Sequence, residues 1–300
     1  ISKLRSFLSL IIDENIDDNH PDGNRGIEPL PNLEFKFVTA NTLISLDEGN
    51  TVGKSMSFDF GETSDLQNQL QKIRSAYLQA TPTDKQKLKM DFEKLQTQIY
   101  KNELKAGGQN KRAQQLAAWK PFSNDSSTWF DPDWMFGVEK FDVVIGNPPY
   151  GSIIKDNKEY FNSHYKCTEG KHEIYKYFIE RGLYFLKENG TNSYIVPDTW
   201  TGLGYFKKLR KLIFEKYNLI SISKTLYKVF EMAMVDTNIF FIQNSKNKTN
   251  DYYLVSGDLI NKEIRLLELN EEFVLNIKEN NNVVRKVDSV STTLNEFSEI

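Results

Sequence analysis

Four consecutive residues, Asn147-Pro148-Pro149-Tyr150, combine two oxygen acceptors with an aromatic ring. The side chain of Asn147 offers a carbonyl acceptor and an NH₂ donor. The carbonyl of Pro148 is a second acceptor, and Pro149 behind it has no N–H that could occupy it. Tyr150 adds a flat aromatic face with a polar tip. We therefore expect this stretch to bind a planar group that bears an NH₂, either the exocyclic amine of a nucleobase or a side-chain amide.

The residues before this stretch should hold it at the edge of a sheet. Phe141 to Ile145 is a short apolar run rich in β-branched residues and bounded by Gly and Pro, which predicts a buried strand of a parallel sheet. The two prolines fix φ at about −65° and remove consecutive N–H donors, so the turn should be rigid. Open α/β sheets bind ligands at the carboxyl ends of their strands, where this turn is expected.

An apolar strand followed by Asn-Pro-Pro-Tyr resembles the signature of amino-group methyltransferases that use S-adenosylmethionine, above all the N6-adenine DNA methyltransferases. With its insertion and trailing region, the chain is similar to the combined type IIG restriction–modification enzymes. The resemblance implies an α/β fold, S-adenosylmethionine as cofactor and double-stranded DNA as partner. The sheet should be Rossmann-like and mostly parallel, with a terminal antiparallel hairpin. Asn147, Pro148 and Tyr150 should be catalytic, with a flipped-out adenine stacked on Tyr150.

The same resemblance implies roles for two residues elsewhere in the chain. Lys228-Val229-Phe230-Glu231 resembles the family's eighth motif, so Phe230 is expected to meet the target base opposite Tyr150. A predicted strand over Leu33 to Ala40 runs into Asn41, as in the third motif, and Asn41 is expected to contact the adenine ring of the cofactor. The alternatives are that Phe230 is a core residue and that Asn41 turns the chain, for which Asn is well suited.

A helix and a strand downstream of the turn resemble the fifth and sixth motifs. Apolar residues at helical spacing start at Ile174, and the predicted helix ends at a cap formed by Asn189-Gly190. Ser193 to Pro197 is predicted to be the next parallel strand. By resemblance, Tyr175 or Phe178 lines the cofactor pocket, and a plain role in the helix core is the alternative.

Residues 61–120 are predicted to be an insertion built on an antiparallel helical hairpin. Apolar residues recur there in steps of three and four on two successive segments. They are Leu66, Leu70, Ile73 and Tyr77, then Leu88, Phe92, Leu95 and Ile99. Trp119, Trp129 and Trp134 follow, and we expect them to pack the insertion onto the core, with a base-stacking platform as the sharper alternative.

The insertion divides the chain into four predicted regions. Residues 1–60 and 121–248 should form two parts of the methyltransferase core, and residues 249–300 the start of a C-terminal, target-recognition region. The family's Gly-rich cofactor loop with its later acidic residue does not occur in residues 1–300, and Ile1 opens directly on a helical pattern. We therefore expect a fragment that lacks the N-terminal side of the sheet and binds cofactor poorly alone. Any nuclease should lie in other domains of the same polypeptide.

Composition adds several limits. The net charge of −3 and pI near 5.8 require any DNA-binding face to be local. One cysteine, Cys167, excludes an internal disulfide and favours the cytoplasm, and no apolar run suits a membrane span. His164, Cys167 and His172 form a poor zinc pattern, so we expect no metal.

Two further function classes remain open at this stage. A methyltransferase acting on a protein glutamine or on an RNA base would share the Asn-Pro-Pro-Tyr turn. A non-catalytic DNA-binding module is the second alternative. Methyl-transfer assays on DNA, RNA and protein substrates separate these classes.

Overall fold

The computed structural model describes residues 2–21, 25–27, 29–47, 60–105, 111–123, 125–152, 158–224, 236–249, 251–256, 261–266, 273 and 275. The chain divides into two compact units, residues 1–139 and residues 140–300. Phe230 and its motif lie outside the described residues. No helix in the described part of the chain is long and apolar enough to cross a bilayer.

The first unit is helical in its described part. Its helices are α1 (Ser2–Ile12), α2 (Phe60–Tyr77), α3 (Pro82–Lys105), α4 (Lys111–Ala118) and α5 (Pro132–Phe136). Helices α2 and α3 pack together as the predicted hairpin, and the steps of three and four bring Leu70, Tyr77, Phe92 and Ile99 into its core. The hairpin prediction is confirmed. Trp119, Trp129 and Trp134 are all buried, as the packing interpretation expected.

The strand predicted over Leu33 to Ala40 does not form. The chain instead turns after Leu33, whose carbonyl accepts the backbone N–H groups of Lys36 and Phe37. An isolated bridge from Ala40 to Ser127 is its β-type pairing. Phe35 is buried because its ring packs against aromatic rings of the hairpin and the loop after α4. Those rings belong to Tyr77, Phe92 and Phe122, with centroids 5.0–5.3 Å away. The alternating apolar residues of this segment therefore belong to a turn that packs onto helices.

The second unit contains a mixed sheet with helices packed on it. Its strands are β1 (Phe141–Gly146), β2 (Leu186–Pro197), β3 (Asn218–Lys224), β4 (Thr237–Gln243), β5 (Asp251–Ser256) and β6 (Asn261–Leu266), in the order β1-β2-β4-β3-β5-β6. Its helices are α6 (Lys158–His164), α7 (Ile174–Tyr184) and α8 (Lys207–Lys216). The α/β class is confirmed. Only β1/β2 and β3/β5 are parallel among the described pairings, so the expected mostly parallel sheet is wrong for this part.

Strand β1 pairs in parallel with β2, as predicted, but it is not buried. It lies at the edge of the described sheet, and Val143 and Ile145, on one face of the strand, are 63% and 78% exposed. A β-branched apolar run fits a pleated strand whether or not its outer face is covered. The composition of the run therefore predicted the strand correctly and its burial wrongly.

The Asn189-Gly190 pair lies within β2 and does not cap a helix. Helix α7 ends at Tyr184, and β2 starts two residues later at Leu186. Asn189 has φ of 64°, and this pair exchanges backbone hydrogen bonds with Asn244 at 2.7 and 2.9 Å. A left-handed Asn before Gly suits an irregular strand as well as a helix cap, and the register against β1 shifts nearby.

The face of α7 that meets the sheet requires a glycine at residue 182. A Cβ placed on Gly182 would lie 2.6 Å from the Tyr194 hydroxyl and 2.9 Å from the Asn192 amide nitrogen. We expect Gly182→Ala to lower the free energy of unfolding by about 1–3 kcal/mol through overpacking, measured by urea denaturation. Gly202→Ala is the matched control, because nothing lies within 4 Å of its added Cβ. Equal stability of both variants contradicts this packing.

Candidate functional site

The Asn147–Tyr150 turn lies where β1 and β2 both end. Because the two strands are parallel, their carboxyl ends share one edge of the sheet. Asn147 is exposed, Pro148 is buried and Tyr150 is half-buried. The asparagine amide and the tyrosine ring are thus outside the packed core, where a ligand can reach them.

The two oxygen acceptors of the turn have no protein donor. Within the described part of the chain, no group donates to the Asn147 side chain or to the Pro148 carbonyl. Two adjacent acceptors are therefore open to a group that carries two N–H hydrogens.

Two contacts with described residues help to hold the ring of Tyr150. Its hydroxyl donates to the carbonyl of Ile195, at 3.2 Å, one residue beyond the last β2 residue that pairs with β1. Its ring meets that of Tyr175 edge to face, with centroids 6.4 Å apart and planes at 75°. Burial raises the pKa of Tyr150, so its hydroxyl remains a donor at neutral pH. These contacts restrict the orientation of the ring at the end of the turn.

The chain leaves the turn along the start of α7. The carbonyl of Gly151 accepts the N–H of Ile174 at 2.7 Å, and Ser152 forms an antiparallel bridge with Glu173. Gly151 has φ of 131°, which side-chain-bearing residues rarely adopt. A glycine directly after Tyr150 thus lets the backbone dock on the first helical N–H of α7.

The residues expected to contact the cofactor differ in how much surface they offer. Asn41, in the first unit, is exposed; its side-chain oxygen accepts the N–H of Leu43 at 3.2 Å, so it also turns the chain. No group in the described ranges bonds its amide nitrogen, which can still donate to a ligand. Phe178 is partly buried against the core of the second unit. Tyr175 is 1% exposed, so its ring is covered. Asn41 and Phe178 each offer some surface to a ligand, whereas Tyr175 does not, and the cofactor roles of all three stay predictions.

The three residues considered for zinc have other surroundings. His164 stacks on Tyr160 at 3.9 Å, and His172 hydrogen-bonds the hydroxyl of Tyr177. Burial lowers the pKa of His172 and raises that of the Cys167 thiol. Over the described ranges, no group of three or more His, Cys, Asp or Glu side chains could hold a metal ion.

Sequence reasoning missed two charged side chains of α7 that secure the loop before it. Lys176 is fully buried and donates to the carbonyls of Glu169 and Lys171 at 2.8 and 2.9 Å. Glu180, one turn later, accepts the N–H groups of residues 166 and 167. Burial lowers the pKa of Lys176. In the sequence, the signal for this pair was the spacing of four residues between them, which places both side chains on one face of the helix.

A model of the family described as Eco57I restriction-modification methylase matches residues 1–230, which include the Asn147–Tyr150 turn and the β1–β2 pair. The chain belongs to this family. The expectation from the Asn-Pro-Pro-Tyr signature is thereby confirmed at the level of the family.

Individual members of the Eco57I methylase family and related enzymes match shorter stretches. The type II restriction enzyme and methyltransferase RM.Eco57I of Escherichia coli is 32% identical over 123 residues, which cover 39% of this chain and 12% of that protein. The adenine-specific methyltransferase BrxX of Escherichia coli O9:H4 is 25% identical over 170 residues, covering 54% and 13%. The chain therefore spans about an eighth of the length of these relatives.

A solved structure also overlaps with part of this Eco57I-family chain. The type IIG restriction endonuclease BpuSI superposes with a TM-score of 0.35 and 16% sequence identity, over 49% of this chain and 19% of that one. An overlap at this level supports no conclusion about fold or function. The strands and helices of this chain are therefore the basis for its assignment to the α/β class.

Proposed function

We propose that this chain acts in the transfer of a methyl group from S-adenosylmethionine to the N6 amine of a flipped-out adenine in double-stranded DNA. The observation that carries the proposal is the pair of open acceptors at Asn147 and Pro148 beside the anchored Tyr150 ring. The reaction would serve a restriction–modification system, with nuclease and target-recognition functions in other domains.

Family membership and the relatives support this choice of substrate. RM.Eco57I is described as a restriction enzyme and methyltransferase, and BrxX as adenine-specific. Adenine presents an NH₂ with two hydrogens, which matches the two acceptors of the turn. In a duplex this amine is stacked inside the helix, so the base must be flipped out before it can reach the turn.

The role of the two acceptors follows from the electronic structure of the amine. Its nitrogen lone pair is delocalised into the purine ring and is a weak nucleophile. When the Asn147 side-chain oxygen and the Pro148 carbonyl each accept one hydrogen, the nitrogen is driven toward a geometry in which its lone pair is localised. The Pro148 carbonyl belongs to the proline-stiffened backbone of the turn, so it needs no rearrangement as charge develops. Positioning and preorganised polarity are thus the main catalytic contributions.

Other residues would hold the base and the cofactor. Tyr150 offers its ring for stacking, and Phe230 is proposed to meet the base from the opposite side. When bound, S-adenosylmethionine supplies a methyl group on a sulfonium sulfur. Asn41, in the first unit, is proposed as a cofactor contact through its available amide nitrogen. Phe178, in the second unit, is proposed separately, through its half-buried side chain. The covered ring of Tyr175 makes it a weaker candidate for that contact.

The substrate class is tested with the full-length gene product and tritiated S-adenosylmethionine. Duplex DNA, RNA and a glutamine-bearing protein substrate are offered separately, and the labelled product is digested and separated by chromatography. We expect label only in DNA, as N6-methyl-2'-deoxyadenosine. Label in RNA or protein overturns the substrate assignment, and DNA binding without transfer favours a non-catalytic module.

A further inference from the structure

The neighbours of the Tyr150 ring form a small cluster that the proposed reaction does not use. Tyr175, in the first turn of α7, meets Tyr150 edge to face. Its hydroxyl bonds the hydroxyl of Thr199 at 2.8 Å, and Thr199 lies in the short 3-10 turn that follows β2. On another side its ring packs against Phe206, with centroids 5.4 Å apart. Tyr175 therefore links α7 to the base-binding turn and to the segment after β2.

The hydrogen bond between the hydroxyls of Tyr175 and Thr199 is a specific contact at a buried ring. Tyr175 is almost fully buried, and burial raises the pKa of its hydroxyl, so the group stays protonated. A buried hydroxyl without a partner is costly, and Thr199 supplies that partner. This hydrogen bond restricts rotation and tilt of the Tyr175 ring, which the Tyr150 ring meets in a T-shaped contact.

We infer that Tyr175 and Thr199 are positioning residues that set the orientation of the Tyr150 ring for stacking on the flipped adenine. This inference rests on the proposed function of Tyr150. Tyr175 acts through Tyr150 and touches neither base nor cofactor. The hydrogen bond between Tyr175 and Thr199 fixes the ring before the base arrives, so less ordering is needed when the base binds.

This role differs in its kinetics from the cofactor contact that the family resemblance implies. If Tyr175 positions Tyr150, its loss lowers the rate of the chemical step and the fraction of flipped base, and the KM for S-adenosylmethionine stays unchanged. If Tyr175 lines the cofactor pocket, the KM for S-adenosylmethionine rises and flipping persists. The two roles therefore predict opposite outcomes in one set of assays.

The test uses the full-length gene product with two duplexes. Unmodified DNA gives kcat, and DNA with 2-aminopurine at the target adenine reports base flipping, because its fluorescence rises when the base unstacks. Tyr175→Phe and Thr199→Val each remove one hydroxyl and keep the shape of the side chain. Each is expected to lower kcat by about threefold to tenfold and to reduce the fluorescence change. The double variant should be no worse than either single one, because both remove the same bond.

The test is completed by a variant that deletes the Tyr175 ring, made both alone and in the Tyr150→Ala background, and by a control variant. Tyr175→Leu is expected to lower kcat by about 10- to 100-fold, but to have no further effect on base flipping when Tyr150 is already Ala. Tyr184→Phe, on an exposed tyrosine of the same helix, is the control and should match the wild type. Circular dichroism melts show whether each variant is folded, and the two conservative variants carry the test if Tyr175→Leu is not.

Two results overturn the inference. One is a raised KM for S-adenosylmethionine with normal kcat and normal fluorescence in the Tyr175 variants. The other is an unchanged fluorescence response in the Tyr175 variants, whether kcat is also unchanged or falls additively in the double variant. An active wild-type enzyme with unaffected Tyr175 variants refutes only this inference. A wild-type enzyme that transfers no methyl group to DNA refutes the proposed function itself.

Discussion

Asn147→Ala is expected to lower the rate of methyl transfer by about 100- to 1,000-fold, the usual effect of removing one preorganised polar group from an active site. The variant keeps the Pro148 carbonyl but loses the side-chain oxygen that would hold the second amine hydrogen. DNA affinity should stay within a factor of two or three of the wild type, since binding to DNA is dominated by phosphate contacts. Single-turnover transfer of tritiated methyl and fluorescence anisotropy with labelled duplex measure the two quantities.

Stability and an unrelated asparagine provide the controls for this result. Asn147 is exposed and bonds no other group in the described part of the chain, so its removal should leave the melting temperature unchanged. Asn68→Ala, on the exposed face of α2 in the helical hairpin, should leave both turnover and DNA binding unchanged. Full turnover by Asn147→Ala means that the reaction uses another site or that the chain only binds DNA.

Tyr150→Ala is expected to have the second large effect, on the flipped base. Stacking of a base on an aromatic side chain contributes about 1–3 kcal/mol, which corresponds to a loss of about 5- to 150-fold in the population of stacked, flipped adenine. Tyr150→Phe keeps the ring but loses the hydrogen bond to Ile195, so its loss should stay within about tenfold. The 2-aminopurine signal and kcat report this difference.

The contrast between the two Tyr150 variants distinguishes stacking from hydrogen bonding. If the ring stacks on the base, Phe retains most of the activity and Ala does not. Equal damage by Phe and Ala contradicts stacking and assigns the effect to the hydroxyl. Higher activity of Tyr150→Trp or Tyr150→His than of Tyr150→Ala would further support a stacking role, because both replacement side chains offer a flat ring.

Local patterns predicted the parts of the fold that depend on local spacing. The hairpin of α2 and α3 follows from apolar steps of three and four, and β1 and β2 follow from short β-branched and aromatic runs. The strand over Leu33 to Ala40 failed, because alternate aromatic residues there pack a turn onto helices that are distant in sequence. The helix end at Asn189-Gly190 failed, because left-handed backbone also serves a strand irregularity.

The position of the candidate site could be predicted from the sequence, but the hydrogen bonds that hold its residues could not. Two prolines and a strand end are enough to expect Asn147 at an accessible edge of the sheet, where the structure has it. The Tyr175–Thr199 bond joins residues 24 positions apart, and the Tyr150–Ile195 bond joins residues 45 apart. Such contacts are set by how α7 packs on β2, and no local pattern encodes them. The role of Phe230 stays a prediction, outside the described residues.

The most direct test of the central claim is a structure of the full-length gene product with its duplex DNA and a non-reactive cofactor analogue. We predict a flipped adenine whose N6 nitrogen lies about 2.7–3.2 Å from both the Asn147 side-chain oxygen and the Pro148 carbonyl, with its ring stacked on Tyr150. An adenine whose amine bonds neither oxygen, although the base is flipped into the protein, contradicts the account.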